Sequence, residues 1–75
     1  MAKAEIGNQI RRLRFEEGQM SQAELARRVG CTRQTILLLE RGRYVPSLAL
    51  AFKIARVFRQ TVDQVFEYVG EGPGD

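Results

Sequence analysis

Seventy-five residues allow one small domain, which buries only about 60% of the surface its unfolded chain exposes. Apolar residues make up 44% and charged residues 28%, an ordinary globular mix. The longest apolar runs, Ile36–Leu39 and Leu48–Phe52, fall far short of the roughly 20 residues of a membrane helix, and Met1–Glu5 opens no signal peptide, so the cytoplasm is the expected location. There is no His and only one Cys, which excludes an internal disulfide, a Cys/His zinc site and the commonest general base; no metal, no cofactor and no enzymatic activity are expected.

The net charge of +3 is unevenly spread. Residues 1–26 balance Lys3, Arg11, Arg12 and Arg14 against Glu5, Glu16, Glu17 and Glu24. Residues 27–59 carry eight bases against Glu40 alone, and residues 60–75 carry Asp63, Glu67, Glu71 and Asp75 with no base. A basic middle of this kind faces a polyanion or is a solvated surface; ten of the twelve bases are Arg, whose planar fork suits phosphate and guanine.

In chain order, Ile6, Ile10 and Leu13 line one face of a first helix over about Glu5–Glu17, stopped by Gly18. Ser21-Gln22-Ala23-Glu24 reads as a capping box opening a second helix, with Leu25, Ala26 and Val29 inward and Gly30 as its stop. Thr32 caps a third helix through about Arg41, ended by Gly42. Ser47 caps a fourth, burying Leu50, Ala51, Ile54, Ala55 and Phe58. Thr61-Val62-Asp63-Gln64 opens a short fifth helix carrying Val62, Val65, Phe66 and, at its end, Val69. Alternatively, Tyr68 and Val69 form a short strand with the N-terminal residues. Residues 1–69 form the domain, and the apolar-free tail of residues 70–75 is expected to be disordered.

Helices two and three are joined by the very short Gly30-Cys31 break, which makes them cross steeply, as in a helix-turn-helix; a tight corner in any helical bundle is the blander reading. At about 100° per residue, Thr32, Thr35, Ile36, Leu39 and Glu40 fall on one side of helix three. Arg33, Gln34, Leu37, Leu38 and Arg41 fall on the other, outward side. Arg and Gln form paired hydrogen bonds with guanine and adenine edges, and Leu can contact a thymine methyl. Exposed leucines beside charged groups fit a DNA groove or a protein contact. Cys31 lies near Arg33 and a helix N-terminus, a setting that lowers a thiol pKa and would suit a redox sensor; a small filler in a turn is the favoured reading.

The run Ser21–Ile36, followed by Leu39–Leu48 and Ala51–Phe58, resembles the Cro/C1-type helix-turn-helix regulators, above all the short single-domain bacterial and archaeal ones, over about Ile6–Tyr68. The resemblance implies an all-α, five-helix lambda-repressor-like DNA-binding domain, with a short terminal strand pair as a variation. It implies base reading by Thr32, Arg33, Gln34, Leu37 and Leu38. Phosphate contacts fall to Ser21, Gln22, Arg41, Arg43 and Tyr44, and Arg14 and Glu40 match an internal ion pair. Relatives often carry a polar residue where this chain has Leu37 or Leu38. Arg59-Gln60 replaces a more usual Gly-containing turn.

The partner expected is double-stranded DNA, bound by a homodimer because one recognition helix reads too few base pairs to find a genomic site. Val62, Val65, Phe66, Tyr68 and Val69 are the expected interface, with Tyr44, Val45 and Leu48 adding apolar surface; the blander reading has Val62 and Phe66 capping the monomer core and Tyr68 exposed. Repression is expected over activation. The competing reading is a protein-interaction module on the same fold, antitoxin-like or a partner-binding subunit. Salt dependence separates the two.

Overall fold

The computed structural model describes residues 5–70, so the expected tail order lies, apart from Gly70, outside the described residues. The element order is β1 (Ile6–Asn8), α1 (Ile10–Glu16), α2 (Gln22–Val29), α3 (Arg33–Glu40), α4 (Leu48–Val57), α5 (Val62–Val65) and β2 (Phe66–Tyr68). Five helices thus surround one core, and the two ends of the domain are joined by an antiparallel strand pair with Ile6 opposite Tyr68 and Asn8 opposite Phe66.

The polar residues before the helices act where the sequence puts them. Ser21, Thr32 and Ser47 have extended backbones, and each side-chain oxygen accepts from the amide three residues on, at Glu24, Thr35 and Leu50. Each bond satisfies a donor that the first helical turn leaves without a partner. Only half of the expected box at Ser21 forms, because the Glu24 carboxylate turns instead to Arg27 and Arg28. At α5 the Thr61 amide does donate to Gln64 Oε1, at 2.8 Å. Gly30 ends α2 at φ 77°, the left-handed region where a Cβ is costly, and this lets the chain turn straight into Thr32. At the α4–α5 corner Arg59 itself takes φ 56°, so that turn enters the left-handed region without a glycine.

The core is wholly apolar among the described residues. Ile10, Leu25, Ile36, Leu39, Ile54 and Val65 are essentially inaccessible, with at least one from every helix. The most extensive contact between elements is that of α2 with α3, and α4 packs on α2.

Four expectations need correction. The first helix does not begin near Glu5: Ile6–Asn8 is a strand, whose hydrogen-bonding groups pair with Phe66–Tyr68, while Gly7 and the β-branched Ile6 gain little from a helix. The fifth helix is one turn long, because the chain becomes extended at Phe66 (φ −119°, ψ 149°). Val65 and Phe66, expected at a dimer interface, are 1% and 8% exposed and belong to the monomer core, and Val62 is packed against it. Leu37 and Leu38 are half-buried rather than exposed. Leu37 lines a cleft together with residues of α1 and α2, and at Leu38 the chain folds back, with the Arg43 amide donating to its carbonyl at 2.9 Å.

Candidate nucleic-acid interface

Helix α3 follows α2 after only Gly30, Cys31 and Thr32, and its inward residues Ile36 and Leu39 fasten it to the core. Arg33 and Gln34 are therefore held outward on a short, rigid element, both exposed. The Gln34 side chain makes no hydrogen bond within the described residues. Thr32 is also exposed, but its hydroxyl is engaged in the cap, accepting from the Thr35 amide and lying 3.0 Å from Thr35 Oγ1. The Arg33 guanidinium donates from Nη1 to Gln22 Oε1 at 3.0 Å, bridging the starts of α3 and α2.

Beside α3 lies a shallow cleft of about 330 Å³ lined by Arg11, Arg14, Gln22, Leu37, Glu40 and Arg41. Its floor is the Arg14–Glu40 ion pair, two-pronged at 2.6 and 3.1 Å, with the Arg14 and Glu40 side chains 15% and 8% exposed. Arg14 donates a third bond to the Met20 carbonyl at 2.7 Å, and Gln22 Nε2 donates to Glu40 at 3.1 Å. Glu40 is thus the inward-turned acid of a basic segment. Ser21, Arg41, Arg43 and Tyr44 are exposed around the same helix.

The pairing of charges sharpens the interface. Arg12 is matched by Glu16, Arg27 and Arg28 by Glu24, and Arg59 by Glu17. Glu24 is held down to about 2 from its ordinary 4.5, first by the Arg27 hydrogen bond and then by that from Arg28, so it stays charged opposite them. Among the described residues, six bases have no carboxylate partner: Arg11, Arg33, Arg41, Arg43, Lys53 and Arg56. Four of these lie on or beside α3 and its cleft, while Lys53 and Arg56 lie on α4. The uncompensated charge is therefore concentrated around α3, more narrowly than the whole basic stretch of residues 27–59 suggests.

Two residues of the site escape the sequence reading. Arg11 lines the cleft; its signal was the spacing, since positions i+3 and i+4 hold Arg14 and Phe15, whereas Arg12 has Glu16 at i+4. Asn8 accepts from the Ile10 amide at 3.1 Å and donates to the Leu39 carbonyl at 2.7 Å, tying β1 and α1 to the end of α3. No local pattern marks a partner 31 residues away. Cys31 is half-buried, and burial pushes its thiol up rather than down, which removes the electrostatic basis for a redox sensor.

Metal-ligand clusters are absent among the described residues, as is any helix long and apolar enough to cross a membrane. Residues 10–65 match the family model described as helix-turn-helix. An uncharacterized HTH-type transcriptional regulator of Archaeoglobus fulgidus is 50% identical over 62 residues, 83% of this chain and 87% of that protein. Another, from Methanothermobacter thermautotrophicus, is 55% identical over 58 residues, 76% of this chain and 83% of that protein. The restriction-modification controller protein C.AhdI of Aeromonas hydrophila superposes with a TM-score of 0.67 at 31% identity, over 73% of this chain and 82% of that one. With the family match running from α1 through α5 and including α2, the three-residue turn and α3, the chain belongs to the Cro/C1-type helix-turn-helix family of transcriptional regulators.

Proposed function

We propose that this protein is a sequence-specific DNA-binding regulator that inserts α3 into the major groove of an operator with two half-sites. The observation that carries the reading is the concentration of unpaired arginines, Arg11, Arg33, Arg41 and Arg43, around one outward helix. Arg33 and Gln34 are the base-reading side chains, with Leu37, half-buried at the cleft wall, and Leu38 offering apolar contact to thymine methyls. Thr32 contributes through its methyl, its hydroxyl being committed to the cap. Ser21, Gln22, Arg41, Arg43 and Tyr44 meet phosphates, and Arg11 extends that track across the cleft. The Arg14–Glu40 pair is structural. A protein seated in the major groove of an operator obstructs whatever else binds there, and repression by obstruction is the mode of action this reading assigns.

Two copies bind as a homodimer. Half-sites one turn apart lie about 34 Å from each other, a separation that two copies span only with the longest dimension of each, 37 Å, directed toward its neighbour. With Val65 and Phe66 committed to the core, the apolar groups proposed for that contact are Tyr68 and Val69 at the strand pair, Val45 before α4, and Leu48 and Phe52 on it, each at least half exposed.

That exposed apolar set also favours the second reading, a module that docks a protein partner. A salt titration of binding to duplex DNA decides between them. Phosphate contacts give a log–log slope of about −0.9 per contact, so affinity falls steeply from low to moderate salt, and Arg11→Ala or Arg43→Ala each reduce the slope by about one. Binding that ignores both salt and sequence contradicts the DNA reading.

A further inference from the structure

We propose that Glu40 positions Arg33 for base reading, acting through the carboxamide of Gln22. The inference rests on the DNA-binding reading above and adds to it a residue that meets no DNA. A carboxylate only accepts hydrogen bonds and a guanidinium only donates them, while a carboxamide does both, at different ends. Gln22 lies between one of each: its Nε2 donates to Glu40 Oε1 at 3.1 Å, and its Oε1 accepts from Arg33 Nη1 at 3.0 Å. The orientation of the amide is therefore set from both sides. Flipped, it would present its NH2 to the guanidinium and its oxygen to the carboxylate, losing both bonds.

Glu40 is itself anchored. Arg14 holds it with two bonds, at 2.6 and 3.1 Å, and is fixed in turn by the Met20 carbonyl at 2.7 Å. The connected side chains run from buried to exposed: Glu40 is 8% exposed, Gln22 half-buried and Arg33 exposed. The fixed end is in the cleft floor and the reading end is in solvent. A long exposed side chain samples many rotamers, and ordering it on DNA costs entropy. The bond at Nη1 reduces that freedom beforehand and leaves the Nε–Nη2 edge uncommitted, the planar fork that matches guanine O6 and N7.

Two variants break the relay at different points. Gln22→Met removes the link and leaves the Arg14–Glu40 pair intact. Arg14→Met combined with Glu40→Leu exchanges the pair for apolar groups of similar volume, which keeps a fold where loss of one partner endangers it. Binding to a panel of single-base variants of the preferred site identifies the base that Arg33→Ala relaxes. Both relay variants are expected to lose about tenfold of the discrimination at that base and little elsewhere, and neither loses more at that base when Arg33→Ala is already present. A folded Arg14→Met/Glu40→Leu protein with wild-type preference at that base, or with a loss spread evenly over all bases, overturns the proposal. In the DNA-free protein, 15N relaxation of Arg33 Nε reports on the tether alone: a rigid wild type with both variants mobile supports it, and equal mobility in all three overturns it. A wild type that selects no sequence defeats the DNA reading instead, and the relaxation experiment still judges the tether.

Discussion

Glu24 serves two arginines with one carboxylate, bonded to Arg27 at 2.6 Å and to Arg28 at 2.7 Å. Its depressed pKa means that the folded state favours the charged form. The stabilisation is complete above the ordinary value of 4.5 and is lost as pH falls toward about 2. The stability gap between wild type and Glu24→Gln, measured by urea unfolding, is expected to shrink between pH 5 and pH 2. The Arg14–Glu40 pair behaves differently because it is shielded. Removing one partner, as in Glu40→Ala, is expected to cost about 3–5 kcal/mol, against under about 1 kcal/mol for Arg12→Ala at the exposed Arg12–Glu16 pair. Thermal melts resolve these readily, since each kcal/mol moves the midpoint of a domain this size by about 4–8 °C. The pairs Arg12–Glu16, Arg27–Glu24 and Arg28–Glu24 were readable from i, i+3 and i, i+4 spacing, whereas Arg14 with Glu40 was readable only through the family resemblance. The Gln22–Arg33 bond was not readable at all, since it depends on two side-chain conformations and on how α2 crosses α3.

The elements follow their local chemistry wherever a cap and a helical period coincide. Helices α2, α3 and α4 start at Ser21, Thr32 and Ser47 because those hydroxyls compete successfully for free amides, and Ser47→Ala is expected to cost about 1 kcal/mol in denaturant unfolding. At the two ends of the domain helical periodicity misleads, and the strand-pair alternative is the one that forms. Ile6 matches the helical period of Ile10 and Leu13, yet β1 forms because β2 is there to receive it, a contact across 60 residues. The same pairing extends Phe66 and turns it into the core. Asn8 stands at this junction and satisfies groups on both α1 and α3. Asn8→Ala leaves the Leu39 carbonyl with only the Gly42 amide and the amide of buried Ile10 without its side-chain acceptor, and a loss of about 1–3 kcal/mol is expected in the same unfolding measurement, well above that of a surface Asn.

At the scale of the whole molecule, four of the six bases without an acid gather around α3, while the apolar Leu48 and Phe52 share α4 with Lys53 and Arg56, Leu48 being 70% exposed, and Val45 lies in the turn before that helix. Helical periodicity had already placed Arg33 and Gln34 outward, and the basic middle of the chain was visible in composition. What could not be read was which arginines are spent on glutamates, because three-dimensional partners such as Glu17 for Arg59 are distant in sequence. Leu48→Lys is expected to weaken self-association in sedimentation without lowering the melting temperature of the monomer; an unchanged distribution of species would remove α4 from the dimer contact.

The central claim, that α3 reads DNA from a paired site, is tested most directly by selecting bound duplexes from a random pool with the wild type and with Arg33→Ala. The account predicts that the wild type enriches two inverted half-sites about 10 base pairs apart, centre to centre, and that Arg33→Ala enriches the same frame with one base position relaxed in each half-site. A wild-type pool with no enriched sequence, or an Arg33→Ala consensus identical to the wild type's, would contradict it.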